Sequence, residues 1–278
     1  MTSDQHDRAT QAARVTAAAQ TMKAIVQDDY GEADDVLRLE RIDKPEIGAD
    51  EVLVRVHAAG VDRGVWHLMT GLPYPIRIAG YGLRAPKTGV RGREVAGNVE
   101  AVGGDVTTLG PGDEVFGIGE GSFAEYTCAR ADKLAPKPER LTFEQAAAVP
   151  VSALAALQGL RDHGQVQRGQ KVLIIGASGG VGSFAVQIAK AFGAEVTGVS
   201  STSKVDLVRS LGADHVVDYT CNDIADSGQR YDVILDTGGN RSLSELRHAL
   251  TPQGTLVIWM VLPLLIGARR ITRYEVTA

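Results

Sequence analysis

Two patterns of hydrophobic and polar positions divide the chain. From Lys23 to about Val149 the apolar runs are short and alternate with polar residues, with frequent turn residues between them. This pattern is typical of an antiparallel β-barrel or sandwich. From about Gln170 strands alternate with helices, which predicts right-handed βαβ crossovers and a doubly wound parallel sheet. We therefore predict an α/β protein with domains at 22–149 and 150–278, after a disordered tail of residues 1–21.

The second half contains a regular series of predicted elements. It begins with the continuous apolar strand Lys171–Ile175, of the kind that is buried on both faces of a parallel sheet. The segments that follow predict, in order, the helix "GSFAVQIAKAFGA", the strand "EVTGVS", the helix "SKVDLVRSLGA", the strands "HVVDY" and "YDVILD", the helix "LSELRHAL" and the strand "GTLVIWM". The segment "PERLTFEQAAAVPVSALAALQGLRDHG" between the halves is also predicted to be helical.

Composition excludes several classes of function. The 34 acidic residues against 29 basic ones give a net charge of −5 without a basic stripe, so we expect no nucleic-acid partner. Two cysteines, Cys128 and Cys221, cannot form a disulfide framework or a four-thiolate zinc site, which favours a reducing cytoplasm. The longest apolar run, Leu256 to Ile266, is shorter than the roughly 20 residues that span a bilayer, so we expect no stable membrane insertion.

A glycine-rich turn follows the strand Lys171–Ile175 and opens a helix. Ala177 stands at the first glycine position of the dinucleotide fingerprint, with Gly179 and Gly182 at the other two. Gly179 lets the backbone approach a pyrophosphate, Gly182 lets the helix pack on the strand, and the helix N-terminus offers free N–H groups. We predict dinucleotide binding rather than a structural turn alone, by Ala177, Ser178, Gly179, Gly180, Val181 and Gly182.

Cofactor preference depends on the residues that follow the next strand. An NAD site usually carries an acid about 20 residues after the first glycine, to accept hydrogen bonds from the ribose 2′-OH. The stretch Thr197–Lys204 has no carboxylate, but it has hydroxyls that include Ser200 and Ser201, and the cation Lys204. A 2′-phosphate favours donors and positive charge, so we predict NADPH rather than NADH. Alternatively, Lys204 is a solvated residue in the first turn of the next helix.

Several motifs in order carry a family resemblance. From about Met22 to Gly254 the chain resembles the zinc-independent, quinone oxidoreductase-like branch of the medium-chain dehydrogenase/reductase superfamily, on the motifs "AAGVDRGVWHLMTG", "GREVAGNVEAVGGDVTTLGPGDEVFG", "LTFEQAAAVPVSALAALQGL", "GASGGVGSFAVQIAKAFGA" and "SLGADHVVDY". The resemblance implies an N-terminal GroES-like β-barrel domain followed by a Rossmann domain, with the active site in the cleft between them. It implies that Lys204 and Tyr219 flank the 2′-phosphate, and that the loop at Thr237 lies near the nicotinamide ribose.

The resemblance also bears on zinc and hence on the reaction. Zinc-dependent relatives place a cysteine, a His-Glu pair and a second cysteine where this chain has Asp62, Arg93-Glu94 and Ser152. One carboxylate does not replace two thiolates and an imidazole, and Arg93 adds a permanent cation, so we expect no catalytic metal. A conjugated acceptor accepts hydride without a Lewis acid. We expect NADPH-dependent reduction of a small-molecule quinone or α,β-unsaturated carbonyl; an NADP-dependent alcohol or aldehyde oxidoreductase is the alternative.

Three residues are candidates for the substrate side of the site. Asp62 stands where this branch often has an asparagine near the nicotinamide, unless it only forms the turn before Arg63-Gly64. Tyr74, between two prolines, is a candidate to hydrogen-bond a carbonyl oxygen, or else a packed loop anchor. His67 is a candidate proton donor because an imidazole titrates near neutral pH, or else a packing or capping residue of a short helical turn.

After "GTLVI" the sequence leaves the family pattern. It continues through the apolar run Leu256–Ile266 and stops at Ala278, several dozen residues before the family pattern stops. We therefore expect a Rossmann domain that is shortened at its C-terminus. We expect an uncovered strand edge and a partly exposed apolar run, hidden in a homodimer. The alternatives are a dinucleotide-binding sensor, an inactive truncated paralogue, or a protein that docks on a membrane surface through this run.

Overall fold

A computed structural model describes residues 21–222, 224, 228–239, 241–258 and 272–275, the last four by their backbone alone. The predicted tail therefore lies outside the described residues except for Thr21, which begins the first strand. The chain divides into two compact units. The first unit comprises Met1–Leu72 with Tyr81–Ala148, and the second comprises Pro73–Gly80 with Val149–Ala278.

Antiparallel strands build the first unit, as the alternating pattern predicts. They are β1 (Thr21–Val26), β2 (Arg38–Asp43), β3 (Glu51–Gly60), β4 (Glu94–Val102), β5 (Glu114–Ile118), β6 (Tyr126–Arg130) and β7 (Leu134–Pro136). Five of them form a sheet in the order β6-β3-β4-β5-β7, and β1 pairs with β2. The buried side chains of β3, β4 and β5 form its core, namely Val52, Val54, Val95, Val99 and Val115.

Short helices connect and flank these strands. They are Ala33–Val36, Arg63–Thr70, the 3₁₀ turn Ala131–Lys133 and Phe143–Ala147. A further wide helical turn covers Arg77–Tyr81. The helix Arg63–Thr70 begins after Asp62 and ends at Gly71, whose φ of +64° is a left-handed conformation that glycine adopts without strain. Sequence alone therefore accounts for both ends of this helix.

A mostly parallel sheet forms the second unit. Its strands are β8 (Lys171–Ile175), β9 (Glu195–Ser200), β10 (His215–Asp218), β11 (Tyr231–Asp236), β12 (Leu250–Ile258) and β13 (Thr272–Glu275). The order is β10-β9-β8-β11-β12-β13, in which the first five strands are parallel and β13 is antiparallel. The parallel part has the order of the doubly wound dinucleotide-binding fold, as predicted.

Both faces of this sheet are buried. Val172 and Ile174 of β8 belong to one core cluster, whereas Leu173 and Ile175 belong to another. The helices of the unit are Pro150–Leu157, the wide helical turn Gln158–His163, Gly180–Ala191, the 3₁₀ turn Thr202–Lys204, Val205–Ser210 and Leu243–His248. Because successive side chains of a strand point to opposite faces, the unbroken apolar run of β8 is what burial on both faces requires.

The edge of β12 is paired where the sequence suggested that it would be uncovered. Thr255–Ile258 lie opposite the backbone of β13 in antiparallel register, so that expectation is wrong for these positions. Leu256 and Val257 are fully buried, and the remainder of the predicted apolar run, 259–266, lies outside the described residues. Within the described part of the chain, no helix is both long and apolar enough to cross a membrane.

Candidate functional site

The carboxyl ends of four adjacent parallel strands carry the predicted cofactor residues. Along this edge of the sheet the order is Tyr219 after β10, the turn 201–204 after β9, the glycine turn 176–182 after β8 and Thr237 after β11. The strand order reverses between β8 and β11, which is a topological switch point. Ligands of open α/β sheets bind at the carboxyl ends of the strands at such a point.

The glycine turn fits closely against the end of β8. Gly176 has a φ of +79°, and its carbonyl accepts a hydrogen bond of 2.9 Å from the N–H of Gly179. A methyl group at Gly182 would lie 2.0 Å from the carbonyl oxygen of Gly176 and 2.8 Å from the Cα of Ala177. Only glycine at 182 lets the helix Gly180–Ala191 approach the turn this closely.

The open side of this turn lies at the start of the helix. Gly179 is exposed and occupies the N-cap position, where a methyl group would meet only the Gly176 oxygen, at 3.3 Å. Gly180 is exposed, and Ser178 and Val181 are half-buried. The free N–H groups of this 12-residue helix therefore face a surface on which an anion has backbone access.

Ala177 has a different position from the other residues of the turn. It is fully buried, and its N–H donates to the Val199 carbonyl at 3.0 Å. A methyl group at Gly198 would lie 3.0 Å from the Ala177 Cβ and 2.5 Å from Val208. The Ala177 side chain therefore packs under the turn, and Gly198, which the fingerprint does not include, makes room for this contact.

The loop after β11 is fixed to the glycine turn. The Thr237 hydroxyl donates to the Ile175 carbonyl at 2.7 Å, and a methyl group at Gly176 would lie 2.6 Å from that hydroxyl oxygen. The buried Asp236 carboxylate accepts the N–H groups of Gly238 and Gly239 at 2.9 and 3.0 Å. Sequence reasoning missed the requirement for glycine at 176, although the additional glycine before the fingerprint was a signal for it.

An unpaired cation lies beyond the end of β9. Lys204 is exposed, and its ammonium group has no ion pair or hydrogen bond within the described part of the chain. Ser200 is buried, whereas Ser201 is half-buried. Tyr219 is exposed, and its N–H donates to the Ser200 carbonyl at 3.1 Å. Residues 200–204 and Tyr219 are thus brought to neighbouring positions by the pairing of β9 with β10.

A carboxylate that sequence reasoning missed lies on the neighbouring strand. Asp218 of β10 is opposite Ser200 in the parallel register. Hydrogen bonds from the Thr202 and Thr220 hydroxyls, together with the Thr220 N–H, hold the pKa of Asp218 below its usual range. The Thr202 and Thr220 hydroxyl oxygens are 2.8 Å apart. A search for an acid along β9 alone does not find Asp218, because strand pairing brings it there.

The three substrate-side candidates differ in the availability of their polar groups. The Asp62 carboxylate caps a helix by accepting the Val65 N–H at 2.8 Å. His67 Nδ1 is 2.7 Å from the Leu72 carbonyl and therefore donates its proton there. Asp62 and His67 lie in the first unit and Tyr74 lies in the second. Tyr74 is 68% exposed, with the Arg77 guanidinium 5.1 Å from its ring centre.

Two of the positions at which zinc-dependent relatives carry ligands are closely packed in this chain. The Glu94 side chain is buried on β4, and a methyl group at Gly60 would lie 2.5 Å from its Oε2. In the second unit, the buried Ser152 hydroxyl would lie 2.9 Å from a methyl group at Gly180. Among the described residues, no three His, Cys, Asp or Glu side chains are grouped so that they could hold a metal ion.

Comparison with known proteins identifies the family. Residues 48–139 match the model of the alcohol dehydrogenase GroES-like domain, and residues 180–263 match that of the zinc-binding dehydrogenase domain. The mitochondrial NAD(P)H oxidoreductase RTN4IP1 of Mus musculus is 34% identical to this chain, over 92% of this chain and 69% of the relative. The chain belongs to the medium-chain dehydrogenase/reductase superfamily, among its quinone oxidoreductase-like members.

Two further members of this superfamily show the extent of the similarity. The 2-methylene-furan-3-one reductase of Solanum lycopersicum is 38% identical, over 84% of this chain. The chain spans only 64% of the length of that reductase. The solved quinone oxidoreductase from Coxiella burnetii superposes with a TM-score of 0.78 at 30% identity, and covers 90% of this chain and 81% of its own. The similarity thus includes both the GroES-like and the Rossmann domains.

Proposed function

We propose that the chain is an NADPH-dependent reductase that acts on a small-molecule quinone or α,β-unsaturated carbonyl. The observation that carries the proposal is the unpaired, exposed Lys204 beside Tyr219, at the same sheet edge as the glycine turn. The similarity to the tomato 2-methylene-furan-3-one reductase and to the Coxiella quinone oxidoreductase supports the substrate class. When bound, NADPH would supply the hydride that reduces the conjugated acceptor.

The glycine turn has the geometry to hold the pyrophosphate. Gly179 leaves the backbone open, and the helix Gly180–Ala191 points its free N–H groups towards that opening. An anion at this place is stabilised by the N-terminal end of the helix dipole. Thr237, whose hydroxyl is bonded to the Ile175 carbonyl, would fix the loop near the nicotinamide ribose.

Lys204 and Tyr219 would bind the 2′-phosphate. An ammonium group without a carboxylate partner gains a favourable ion pair when a phosphate arrives, and gains nothing comparable from the 2′-hydroxyl of NADH. The Ser201 hydroxyl, whose only contact in the described residues is a long one of 3.5 Å to Ser203, is an additional donor. These groups favour NADPH because they supply a positive charge and hydrogen-bond donors to the 2′-phosphate.

On the substrate side we assign different roles to the three candidates. Tyr74 is the candidate to hydrogen-bond the substrate oxygen, because its hydroxyl is exposed and has no hydrogen bond in the described part of the chain. The polar groups of Asp62 and His67 already serve the helix and the loop around Arg63–Thr70. We therefore propose that they hold this helix and loop in place. We also propose that reduction proceeds without zinc, because the Asp62 carboxylate, with Arg93 and Ser152 at the other positions, does not replace two thiolates and an imidazole.

Separate titrations of NADPH and NADH, followed by nicotinamide fluorescence, test the cofactor assignment. Lys204→Ala should weaken NADPH binding about tenfold and change NADH binding by less than about twofold. Lys171→Ala is the matched control, because Lys171 is an exposed lysine at the opposite, amino-terminal end of β8. Equal losses in the two variants, or equal binding of the two nucleotides by the unchanged protein, would contradict the assignment.

Turnover tests the reaction. Loss of nicotinamide absorbance on addition of a quinone or an enone, and not of a saturated aldehyde, is expected. Binding of NADPH without turnover of any conjugated acceptor would instead support the sensor alternative.

We also propose that the protein forms a homodimer and is located in the cytoplasm. Cys128 and Cys221 are both free thiols, and Cys221 is exposed, which is compatible with a reducing compartment.

A further inference from the structure

Two threonines link the ends of β9 and β10 through one carboxylate. Thr202 Oγ1 and Thr220 Oγ1 are 2.8 Å apart, and Thr220 Oγ1 donates to Asp218 Oδ1 at 2.7 Å. The Thr220 N–H also donates to Asp218 Oδ1, at 2.9 Å. We refer to Thr202, Thr220 and Asp218 as the threonine clamp. It joins a 3₁₀ turn and a β-strand end that are 18 residues apart in sequence.

We propose that the threonine clamp is a positioning device for selectivity between NADPH and NADH. Lys204 lies two residues after Thr202, and Tyr219 lies between Asp218 and Thr220. The clamp therefore fixes the backbone from which each of the two phosphate-binding side chains projects. This inference rests on the proposed function, because it concerns the binding of the 2′-phosphate of NADPH.

The clamp also determines which groups remain available to the phosphate. The hydroxyls of Thr202 and Thr220 are directed to each other and to Asp218, so they are not free donors. Among the described residues, the side-chain donors of the turn that remain available are Lys204 and the weakly bonded hydroxyls of Ser201 and Ser203, which are 3.5 Å apart. Asp218 Oδ1 accepts from both the Thr220 hydroxyl and the Thr220 N–H, so this oxygen is engaged within the clamp.

The clamp lies at the surface of the unit, outside the core clusters of the sheet. Thr202 and Thr220 are both exposed, and Asp218 is half-buried, so none of the three belongs to the core clusters of the sheet. A valine replaces threonine with nearly the same shape and removes only the hydroxyl. Loss of these surface hydrogen bonds should therefore act on the orientation of the turn more than on the stability of the unit.

Calorimetric titration of the full chain with 2′,5′-ADP and with 5′-ADP tests the inference. Thr220→Val should weaken 2′,5′-ADP binding roughly fivefold and leave 5′-ADP binding within about twofold. Thr220→Ser, which keeps the hydroxyl, should restore the binding of 2′,5′-ADP. Thr202→Val removes the clamp from its other side and should reproduce the effect of Thr220→Val, which provides a second variant if one is poorly folded.

The outcomes separate this inference from the proposed function. If the unchanged protein binds 2′,5′-ADP no better than 5′-ADP, both the NADPH assignment and the clamp are overturned. If it prefers 2′,5′-ADP but both valine variants keep that preference, only the clamp is overturned. Equal weakening of both nucleotides would also overturn the clamp, because it would show a general loss of structure rather than a loss of phosphate selectivity.

Discussion

Gly182→Ala is expected to separate the helix Gly180–Ala191 from the turn that precedes it. The added methyl group would lie 2.0 Å from the Gly176 carbonyl oxygen and 2.7 Å from its carbonyl carbon, whereas real Cβ contacts are essentially never below 3.0 Å. The obstructing atoms are backbone atoms, so no side-chain rotation relieves the contact, and the helix must move by about 1 Å. We expect a cost of about 2 kcal/mol, or roughly 6–10 °C in melting temperature for a unit of this size.

Gly179→Ala provides the matched control for that prediction. A methyl group at Gly179 meets only the Gly176 oxygen, at 3.3 Å, and it points to the open side of the turn. Its stability cost should be below about 1 kcal/mol, while pyrophosphate access is lost. Thermal denaturation followed by circular dichroism should therefore show a lower melting temperature for Gly182→Ala and little change for Gly179→Ala. Titration with NADPH should show weaker binding for both variants. A Gly182→Ala protein with unchanged melting temperature and NADPH affinity would refute the reasoning.

Two further predictions concern Asp62 and the two cysteines. Asp62→Ala should lower the free energy of unfolding, measured by urea denaturation, by about 1 kcal/mol because it removes a helix cap. Asp62→Asn should keep both stability and turnover. A fully stable alanine variant would contradict this prediction. Burial, with smaller contributions from Glu51 and Glu120, raises the pKa of the Cys128 thiol to about 11. At pH 8 a thiol reagent should therefore modify the exposed Cys221 first, and Cys128 should react only as the pH approaches the raised pKa of its thiol. Mass spectrometry measures the modification of each cysteine. Rapid reaction of both thiols at pH 8 would contradict this prediction.

The fold could be predicted from sequence because each unit has its own hydrophobic period. The unbroken run of β8 requires burial on both faces, and the structure places its alternate residues in two different clusters. The glycine turn was recognisable for a similar reason, since Gly182 must lie against the backbone of Gly176. These features depend on neighbours within a few residues along the chain, which a sequence displays directly.

Other features depend on strand pairing and could not be predicted in this way. Asp218 comes to the end of β9 only through the register that places it opposite Ser200. The pairing of β13 with β12 is a contact between segments separated in sequence, so the expectation of an open edge was wrong for Thr255–Ile258. Asp62 illustrates a third kind of limit, because an aspartate before a helix is equally compatible with a cap and with a role near a nicotinamide.

The close packing around the glycine turn has a consequence for redesign and evolution of the protein. At Gly176, Gly182 and Gly198, any side chain would meet an atom closer than 3 Å, so substitution there alters the platform itself. Ser201, Lys204 and Tyr219 are at least partly exposed and follow the carboxyl ends of the neighbouring strands β9 and β10. If the proposed function holds, a few surface mutations should exchange the nucleotide preference, whereas substitutions at the three glycines should disturb the turn. Lineages that change cofactor should vary at the margin and keep the three glycines.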